Sequence, residues 1–477
     1  MNDEYENTKY EPETHMSEVD APPEPLLQEL EEFLESHPET RFMDVFAADI
    51  NGIVRGKRLP QEDFEKPFEK GANFCAATTL MNTRGEAAER LQYGAHDGDP
   101  DIRSVAVPGS LVPVPWASVP TAQCLLELQE FDGTPYFLDP RNVLRKAMQP
   151  FRDMGLTPVM ATELEFYLID YDGDTFVPRH PKIAGSDWDQ LGVQFGSFDD
   201  LDDVEPFLVD LDNFCRVQNI PAGAALAEYS PGQFEVNLQH VDDPVLACDH
   251  AILLKRAVKA AAKKNGLAAT FMAKPFAEHA GSGLHIHVSL VDEDGNNVFA
   301  GESEHGPWSD TLRHAIGGLA EAMPESMAVF APNANSYRRY APGFFVPATP
   351  NWGPNHRDLA LRIPVSGDDA RRVEHRVSGA DACPFLVVAA ILAGMHHGIT
   401  NRCEPGPMTR EREDVDYEVT LPIRWDQALD RFEAGSILKP YFGDEFHRVY
   451  GVAKREESDM FHAEITDRDY EWYLRAV

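Results

Sequence analysis

The sequence is poor in lysine and in positive charge. Only 13 of its 477 residues are lysine, and 42 basic residues stand against 80 acidic ones, which gives a formal net charge of −38 at pH 7. A field of this sign repels phosphate backbones and anionic lipids, so we expect neither nucleic acid nor a membrane as a partner. The acids are spread beyond the N-terminus. A carboxylate-rich, lysine-poor chain is typical of a high-salt cytoplasm, and we expect a halophilic source.

The sequence also lacks cysteine pairs and long apolar runs. Its six cysteines are scattered and form no C-x-x-C motif, which indicates reduced thiols rather than disulfides or a cysteine zinc site. We find no signal peptide. The longest apolar run, residues 385–395, is shorter than the ~18 residues that a membrane span needs. Because 43% of the residues are hydrophobic, the chain can bury a large core. These features predict a soluble cytoplasmic protein.

Turn and capping signals divide the chain. Residues 1–25 are acidic and are expected to form a flexible tail, followed by a helix at residues 26–34. Residues 41–60 read as a hairpin around an Asn-Gly turn, and residues 63–115 as a loop-rich stretch. A second region opens at Asp139, with helices predicted after Asp139 and Asp243. In the latter helix Leu246, Leu254, Val258 and Ala261 are predicted to share a buried face. Alternating strands and helices indicate an α/β or α+β domain of over 300 residues.

Acidic side chains alternate with apolar ones along one predicted strand. In the segment ELEFYL, Glu163 and Glu165 fall on the same face, because side chains alternate across a strand. Two like charges on one strand face repel each other. They are therefore either solvated at a sheet edge or held together by a cation.

Three further segments place polar side chains on one strand face in the same way. These residues are Glu235 and Asn237; His285, His287 and Ser289; and Arg372, Glu374 and Arg376. Glu228 precedes the first segment across a Ser-Pro-Gly turn. A lone histidine or acid is ordinarily a solvated or core residue, but four such faces together suit two hard divalent cations. Carboxylate oxygens with few nitrogens favour Mg²⁺ or Mn²⁺ over zinc, and such metals commonly hold nucleotide phosphates.

One segment carries the opposite charge to the rest of the chain. Residues 338–376 contain seven arginines, no lysine and four acids. The arginines either form local ion pairs or grip carboxylate and phosphate groups, for which a planar guanidinium is well suited. Beside an acidic metal pocket, they predict phosphoryl transfer onto, or activation of, a carboxylate substrate.

Six segments identify a family resemblance. In chain order they are ELEFYL, AEYSPGQFEVN, GSGLHIHVSL, NSYRRYAPG, NHRDLALRIP and RRVEHRVSGADACPFL. They are similar, in the same order, to the motifs of the glutamine synthetase superfamily, and DINGIVRGKRLP resembles its small β-grasp domain. The resemblance implies an α+β fold, with a β-grasp domain at residues 26–138 and a catalytic domain at residues 139–477. In the catalytic domain, antiparallel strands would form a half-barrel flanked by helices.

The resemblance also implies roles for individual residues. It implies two Mg²⁺ or Mn²⁺ sites, one at Glu165, Glu228 and Glu235 and the other at Glu163, His285 and Glu374. It implies a glutamate site at Gly281, Arg339 and Arg376, and an ATP site at His287, Ser289, Arg357, Arg362 and Arg372. The γ-carboxylate of glutamate would attack the γ-phosphate of ATP, and an amine would capture the γ-glutamyl phosphate. Arg357 and Glu228 would be catalytic, with Glu228 accepting a proton from the amine.

Two departures from the family pattern bear on the amine. Family members that use ammonia carry an Asp-Gly-Ser-Ser motif, and here Cys75 stands where its aspartate would be. They also carry a flap glutamate, and the matching residue is Phe345. Without these acids the amine pocket is larger and less polar, which favours putrescine or another polyamine over ammonia. NGIVRGKR and SYRRYAPG likewise resemble the γ-glutamylpolyamine ligase branch.

Two alternatives stay open. The chain could be a glutamine synthetase proper with a relocated base, or an inactive regulator, although the latter would be expected to lose metal ligands and all six are present. The resemblance also implies a homo-oligomer, two hexameric rings stacked as a dodecamer, in which a neighbour's β-grasp domain completes each active site.

Overall fold

The computed structural model describes most of the chain. The described residues are 24–94, 96–173, 175–183, 185–186, 188–189, 195–304, 307–340, 345–410 and 418–477. The predicted acidic tail lies outside the described residues except for its last two positions, which begin the first helix.

The described residues form helices that flank two sheets. The helices are α1 Glu24–Ser36, α2 Lys66–Glu69, α3 Pro140–Asp153, α4 Phe198–Asp203, α5 Glu205–Val217, α6 Pro244–Lys264, α7 Asp310–Phe330, α8 Pro384–Asn401, α9 Trp425–Ala434, α10 Lys439–Phe442, α11 Asp444–Ala463 and α12 Asp467–Tyr473.

The N-terminal sheet has six strands. They are β1 Phe42–Ala48, β2 Val54–Pro60, β3 Ala72–Cys75, β4 Asp101–Ala106, β5 Val112–Pro113 and β6 Thr121–Gln129. Their order is β2-β1-β6-β4-β3, with β5 also on β6. β1 pairs antiparallel with β2 but parallel with β6, the pairing that a β-grasp sheet requires.

The second sheet has nine strands. They are β7 Thr157–Asp172, β8 Thr175–Pro178, β9 Ala222–Ala227, β10 Gln233–Leu238, β11 Ala268–Thr270, β12 Leu284–Val291, β13 Trp352–Pro354, β14 Leu361–Ile363 and β15 Val373–His375. Their order is β13-β14-β15-β12-β7-β10-β9, with β8 and β11 also on β7. All pairs are antiparallel except β13 with β14. This curled, half-barrel sheet with flanking helices confirms the α+β prediction, whereas the domain boundary at residue 138 stays a prediction.

Capping residues begin the helices where the sequence predicts them. The side chain of Asp139 accepts the backbone N–H of Arg141 at 2.9 Å, and Gly155 follows α3 with φ of 67°. Asp243 caps α6 in the same way.

One local prediction was wrong, and another was incomplete. On α6, Leu246 is 41% exposed because eight residues at 100° each place it about 80° around the helix from the buried Leu254. The predicted loop at residues 63–115 contains β3, β4 and β5. Polar residues on β4, namely Arg103 and Ser104, are buried, so no alternation of apolar and polar residues marks that strand.

The helix α8 runs through the core. It packs against α3 and α7, and most of its residues from Pro384 to Met395 are completely buried. By length and composition it is the one helix in the described part of the chain that could cross a membrane, and 72% of it is buried inside the structure. The uninterrupted apolar run is shorter than the helix, because His396, Thr400 and Asn401 belong to the last turns.

The helix α11 binds the N-terminal region through buried polar groups. Lys454, 1% exposed, donates to the side chain of Asn51 in the β1–β2 turn and lies 3.0 Å from Glu457. Glu457 accepts both the N–H and the hydroxyl of Thr83, at 3.1 and 2.6 Å. Glu456 accepts the backbone N–H groups of residues 89 and 90.

Candidate functional site

The register of the nine-stranded sheet brings the predicted acids and histidines together. On the central strand β7, Glu163 lies opposite His285 of β12, and Glu165 lies opposite Glu235 of β10. On the other side of β12, Glu374 of β15 lies opposite His287. Because residues that lie directly opposite each other on adjacent strands point to the same face, these side chains share one face of the sheet.

Two groups of side chains offer ligand atoms for a metal. The first is Glu163, His285 and Glu374, whose ligand atoms lie within 4.8 Å of one another. His285 Nδ1 is 3.4 Å from Glu163 Oε2. This is one of the two sets that the family resemblance implied.

The second group differs from the implied set by one member. It consists of Glu165, Glu235 and His285, again with ligand atoms within 4.8 Å. His285 is 3.9 Å from each of the two carboxylates. Glu228 directly follows β9 and is half-buried at the β9–β10 turn, but it is not within that distance of the group.

The pKa values of these acids reflect crowded negative charge. Burial, together with the carboxylates of Glu163 and Glu165, raises the pKa of Glu235 to about 9. Burial and the charge of Glu165 raise the pKa of Glu228 to about 7. Such repulsion would be relieved by a divalent cation, and a donor set of carboxylate oxygens with one imidazole fits Mg²⁺ or Mn²⁺. The residues present therefore fit the metals that the family resemblance implies.

Arginines lie directly beside the acidic groups. Arg362 Nη1 is 2.5 Å from Glu374 Oε2, and Arg376 donates to the other oxygen of the same carboxylate. Glu374 is 1% exposed; burial raises its pKa, but the charges of Arg376 and its neighbours outweigh burial and hold it at about 2. The carboxylate is therefore fully ionised and orients both guanidinium groups.

His287 connects the metal ligands to a further arginine. Its Nε2 lies 3.0 Å from Glu163 Oε1, and its Nδ1 accepts the Nε–H of Arg372 at 3.1 Å. Because Nδ1 accepts, the ring proton is on Nε2. Ser289, two residues further along β12, falls on the same face and is half-buried.

The predicted glutamate-binding residues also lie close together. Arg339, 3% exposed, donates from Nη1 to the carbonyl of Val377 at 2.7 Å. A Cβ atom on Gly281 would lie 2.5 Å from the carbonyl oxygen of Ala273 and 2.6 Å from Arg339 Cγ. Only glycine therefore lets Arg339 occupy this position.

Arg357 stands apart from the buried arginines. Its side chain is exposed, while its carbonyl accepts the Nε–H of Arg376 at 3.2 Å. Its positive charge lowers the pKa of Glu228, although burial and Glu165 outweigh it. Arg357 is thus close enough to Glu228 for their charges to interact, at the open side of the site.

The two predicted specificity residues lie in different parts of the fold, Phe345 in a loop before β13 and Cys75 at the end of β3. Phe345 follows the gap at residues 341–344, is 48% exposed, and contacts Tyr229 edge to face with ring centroids 5.8 Å apart. Its φ of 54° is unusual for a residue with a side chain. Cys75 ends β3 of the N-terminal sheet, where its thiol donates to Asp99 Oδ1 at 3.0 Å.

Three residues in contact with predicted site residues were not predicted from the sequence. Asp99 supplies a carboxylate beside Cys75, but it comes from a loop 24 residues further along the chain. Gln233, 2% exposed, donates to Glu165 at 3.3 Å and to the carbonyl of Gly281 at 3.1 Å. Tyr229, the third, contacts Phe345. Gln233 and Tyr229 both lie in the AEYSPGQFEVN segment. Their closeness to Glu228 in the sequence is the signal that could have identified them.

A cavity of about 1010 Å³ lies away from these residues. It is lined by the basic face of α6, including Lys255, Lys259 and Lys263, and by Gly52 and Trp116 of the N-terminal region. None of the predicted site residues lines it.

Comparison with known proteins shows the family of this chain. Residues 137–473 match the family model described as glutamine synthetase, catalytic domain. The γ-glutamylputrescine synthetase of Escherichia coli is 43% identical over 452 residues, which are 94% of each chain. The glutamate–isopropylamine ligase of a Pseudomonas species is 30% identical over 94% of this chain and 97% of its own length. A solved complex of GmaS with ADP superposes with a TM-score of 0.79 and 26% identity, covering 93% of this chain and 98% of that one.

Proposed function

We propose that this chain, which belongs to the glutamine synthetase family, ligates the γ-carboxylate of glutamate to a primary amine at the expense of ATP, with putrescine or another polyamine as the amine. The observation that carries the amine assignment is the Tyr229–Phe345 aromatic contact beside Glu228. The likeness to the γ-glutamylputrescine synthetase over 94% of both chains supports the same reaction.

The residues divide the chemistry between them. The residues that would hold Mg²⁺ or Mn²⁺ are Glu163, Glu165, Glu235, His285 and Glu374, while Glu228 lies outside the second group at the β9–β10 turn. Bound there, the cations would neutralise charge on the phosphates of ATP.

The arginines bind and orient the two anionic substrates. Arg339 and Arg376, both buried, bind the carboxylates of glutamate. Three further arginines bind the γ-phosphate of ATP, and these are Arg357, Arg362 and Arg372. Glu374 and His287 hold two of these guanidinium groups in place through the contacts described above. Such preorganised positive charge stabilises a transferring phosphoryl group.

Two steps complete the reaction. An oxygen of the glutamate γ-carboxylate forms a bond to the γ-phosphorus of ATP as the bond to ADP breaks, which yields γ-glutamyl phosphate. The neutral amine then attacks the acyl carbon, phosphate leaves with the bonding electrons, and the amine loses a proton. Glu228 accepts that proton, since it is half-buried beside the site and its pKa is raised toward neutrality.

The aromatic contact favours a carbon chain on the amine. Ammonium needs carboxylates around it, whereas the methylene groups of a diamine gain free energy against aromatic rings. We propose that the chain assembles into a dodecamer, as the family resemblance implies, and that the N-terminal sheet of a neighbour faces Phe345. Asp99 beside Cys75 would then meet the distal ammonium group of the diamine.

A panel of amines tests the proposal. Phosphate release is measured with purified protein, glutamate, ATP and Mg²⁺ or Mn²⁺, and with putrescine, isopropylamine, ethanolamine or ammonium as the acceptor. We expect the highest kcat/KM with putrescine. Turnover with ammonium and none with the diamine would establish the second candidate function, that of a glutamine synthetase. The observation that favours this second candidate is the carboxylate of Asp99 near Cys75.

A variant separates the role of Asp99 from that of the aromatic pocket. We expect Asp99→Asn to raise KM for putrescine about tenfold or more, because it removes a charge-assisted hydrogen bond of about 1.5–3 kcal/mol. The KM for isopropylamine, which has no second ammonium group, should not change. An equal effect on both amines would show that Asp99 does not contact the distal group.

Two broader proposals accompany the reaction. The net charge of −38 supports a high-salt cytoplasm as the place of action. The separation of the six-stranded and nine-stranded sheets along the chain supports a domain boundary near residue 138. Limited proteolysis in high and low KCl would test both, with cleavage expected first between the sheets.

A further inference from the structure

A third cluster of ligand-type side chains lies apart from the nine-stranded sheet. It consists of Glu321 on α7, His397 on α8 and Cys403, two residues after α8. One ligand atom from each lies within 4.8 Å of the other two. Among the described residues it is the one such cluster that contains a cysteine. Neither the glutamate nor the ATP chemistry proposed above uses it.

Two of the three separations between its ligand atoms are close to the edges of a metal tetrahedron, and the third is below 4.8 Å. Cys403 Sγ is 3.2 Å and His397 Nε2 is 3.5 Å from the same oxygen, Glu321 Oε2. A tetrahedral zinc ion, with bonds of ~2.0 Å to nitrogen and oxygen and ~2.3 Å to sulfur, holds its ligand atoms ~3.3–3.6 Å apart. The three groups therefore need only small movements to coordinate one ion.

The backbone holds the cysteine in this position. Arg402 ends α8 with a left-handed φ of 54°, and the N–H of Cys403 then donates to the carbonyl of Gly398 at 2.9 Å. The chain turns back onto α7, where a Cβ atom on Gly317 would lie 2.3 Å from the carbonyl oxygen of Cys403. Glu321 is one helical turn beyond this glycine contact. The close approach of α7 thus places the carboxylate beside the thiol.

The histidine ring is also held in place. The side-chain nitrogen of Asn401 lies 3.2 Å from Nδ1 of His397 and donates to the backbone carbonyl of His397 at 2.9 Å. Nε2 therefore faces Glu321 and Cys403. Metal-binding histidines commonly have such a partner on the second ring nitrogen, which fixes the orientation of the ring. When Nε2 binds zinc, the ring proton of His397 is on Nδ1. Rotation of the Asn401 side-chain amide by 180° then lets its oxygen accept a hydrogen bond from Nδ1.

We propose that Glu321, His397 and Cys403 form a Zn²⁺ site, with water as the fourth ligand, separate from the Mg²⁺ or Mn²⁺ sites of the reaction. The donor set is the basis of the assignment: a thiolate and an imidazole select zinc, whereas the oxygen-rich groups on the sheet select hard cations. Binding releases the thiol proton to solvent, because the thiolate is the ligand.

The site braces a segment that reaches the ATP arginines. After Cys403 the chain runs along β13, where Trp352 Nε1 donates to the carbonyl of Gly406 at 2.8 Å and Thr409 N–H donates to the carbonyl of Trp352 at 2.9 Å. β13 in turn pairs with β14, which carries Arg362. Zinc at the end of α8 would therefore fix the start of this segment.

Cobalt spectroscopy tests the site in the full chain. The protein is saturated with Mg²⁺, so that the oxygen-rich sites are filled, and is then titrated with Co²⁺. A Co²⁺–thiolate bond gives a near-ultraviolet charge-transfer band, which the cysteine-free groups on the sheet cannot produce. We expect one equivalent of this band in the wild type, its displacement by Zn²⁺, and protection of one thiol from a thiol reagent.

Variants assign the ligands. Cys403→Ser should abolish the band, and His397→Gln and Glu321→Gln should weaken Co²⁺ binding at least tenfold. The matched control is His240→Gln, an exposed histidine outside the cluster, which should bind as the wild type does. Absence of the band in the wild type, or a band that survives Cys403→Ser, would overturn the proposal. Thermal unfolding of each variant shows whether it is folded, and the thiol-protection readout does not depend on enzyme activity.

Discussion

The position of Gly281 makes the glutamate site sensitive to a single methyl group. In Gly281→Ala the new Cβ atom would lie 2.5 Å from the carbonyl oxygen of Ala273 and 2.6 Å from Arg339 Cγ. The backbone contact cannot be relieved by rotating a side chain, so the loop and Arg339 must both move. The guanidinium of Arg339 is then displaced from the place where we propose that it binds a glutamate carboxylate.

The size of the effect follows from the interaction that is lost. Hydrogen bonds between an arginine and a carboxylate contribute about 1.5–3 kcal/mol, which corresponds to a loss of about 10- to 150-fold in kcat/KM for glutamate. Because the arginines assigned to ATP are not in contact with Gly281, the KM for ATP should stay within about twofold. Steady-state phosphate release, with glutamate and ATP varied in turn, measures both.

Two companion variants keep the test decisive. Gly406→Ala adds the same methyl group where nothing lies within 4 Å, and it should retain wild-type kinetics. Arg339→Lys keeps the charge but loses the planar fork, and it should reproduce the glutamate defect. A folded Gly281→Ala protein with unchanged KM and kcat for glutamate would refute the role assigned to Arg339.

Four further predictions concern stability, specificity and solvent. Glu374→Gln leaves two arginines without their buried carboxylate and should lower the free energy of unfolding by about 3–5 kcal/mol in urea titrations, whereas Asp368→Asn, at an exposed pair, should change it by less than about 1 kcal/mol. Phe345→Glu should raise kcat/KM for ammonium relative to putrescine, and an unchanged ratio would contradict the aromatic pocket. Burial lowers the pKa of His250 to about 4 in the folded chain, whereas the pKa in the unfolded chain is near 6.5. Between pH 4 and pH 6.5 the unfolded chain therefore binds a proton that the folded chain does not, and the free energy of unfolding rises with pH. The difference between pH 5 and pH 7 in urea midpoints should therefore be smaller in His250→Gln. Finally, the unfolding temperature should rise with KCl concentration, because salt screens the repulsion within a chain of net charge −38, and a fall would contradict the halophilic proposal.

Strand periodicity accounts for what could be predicted of the site. Glu163 and Glu165 alternate with buried Leu164 and Phe166, and a strand of that pattern has one possible arrangement of faces. Motif order then supplied the partners on the neighbouring strands. The register that places Glu163 opposite His285 depends on antiparallel pairing of β7 with β12. That pairing could not be predicted from strand periodicity.

The residues that sequence reasoning missed depend on long-range contacts. Asp99 reaches Cys75 across a loop in which Asp99 itself has a positive φ, and local patterns carry no signal for such an approach. β4 was missed because Arg103 and Ser104 are both buried, so its sequence shows no alternation of apolar and polar residues. Leu246 does not share the buried face of α6, because it lies about 80° around the helix from Leu254.

The contact of Lys454 with Asn51 has a consequence for synthesis of the chain. The two residues are 403 positions apart, and both belong to one buried hydrogen-bonded group. A chain leaving the ribosome therefore exposes the turn of its first hairpin long before Lys454 is synthesised. Nascent domains ordinarily fold in the order of synthesis. Here the turn gains its buried partner only once α11 has been synthesised and has packed against it.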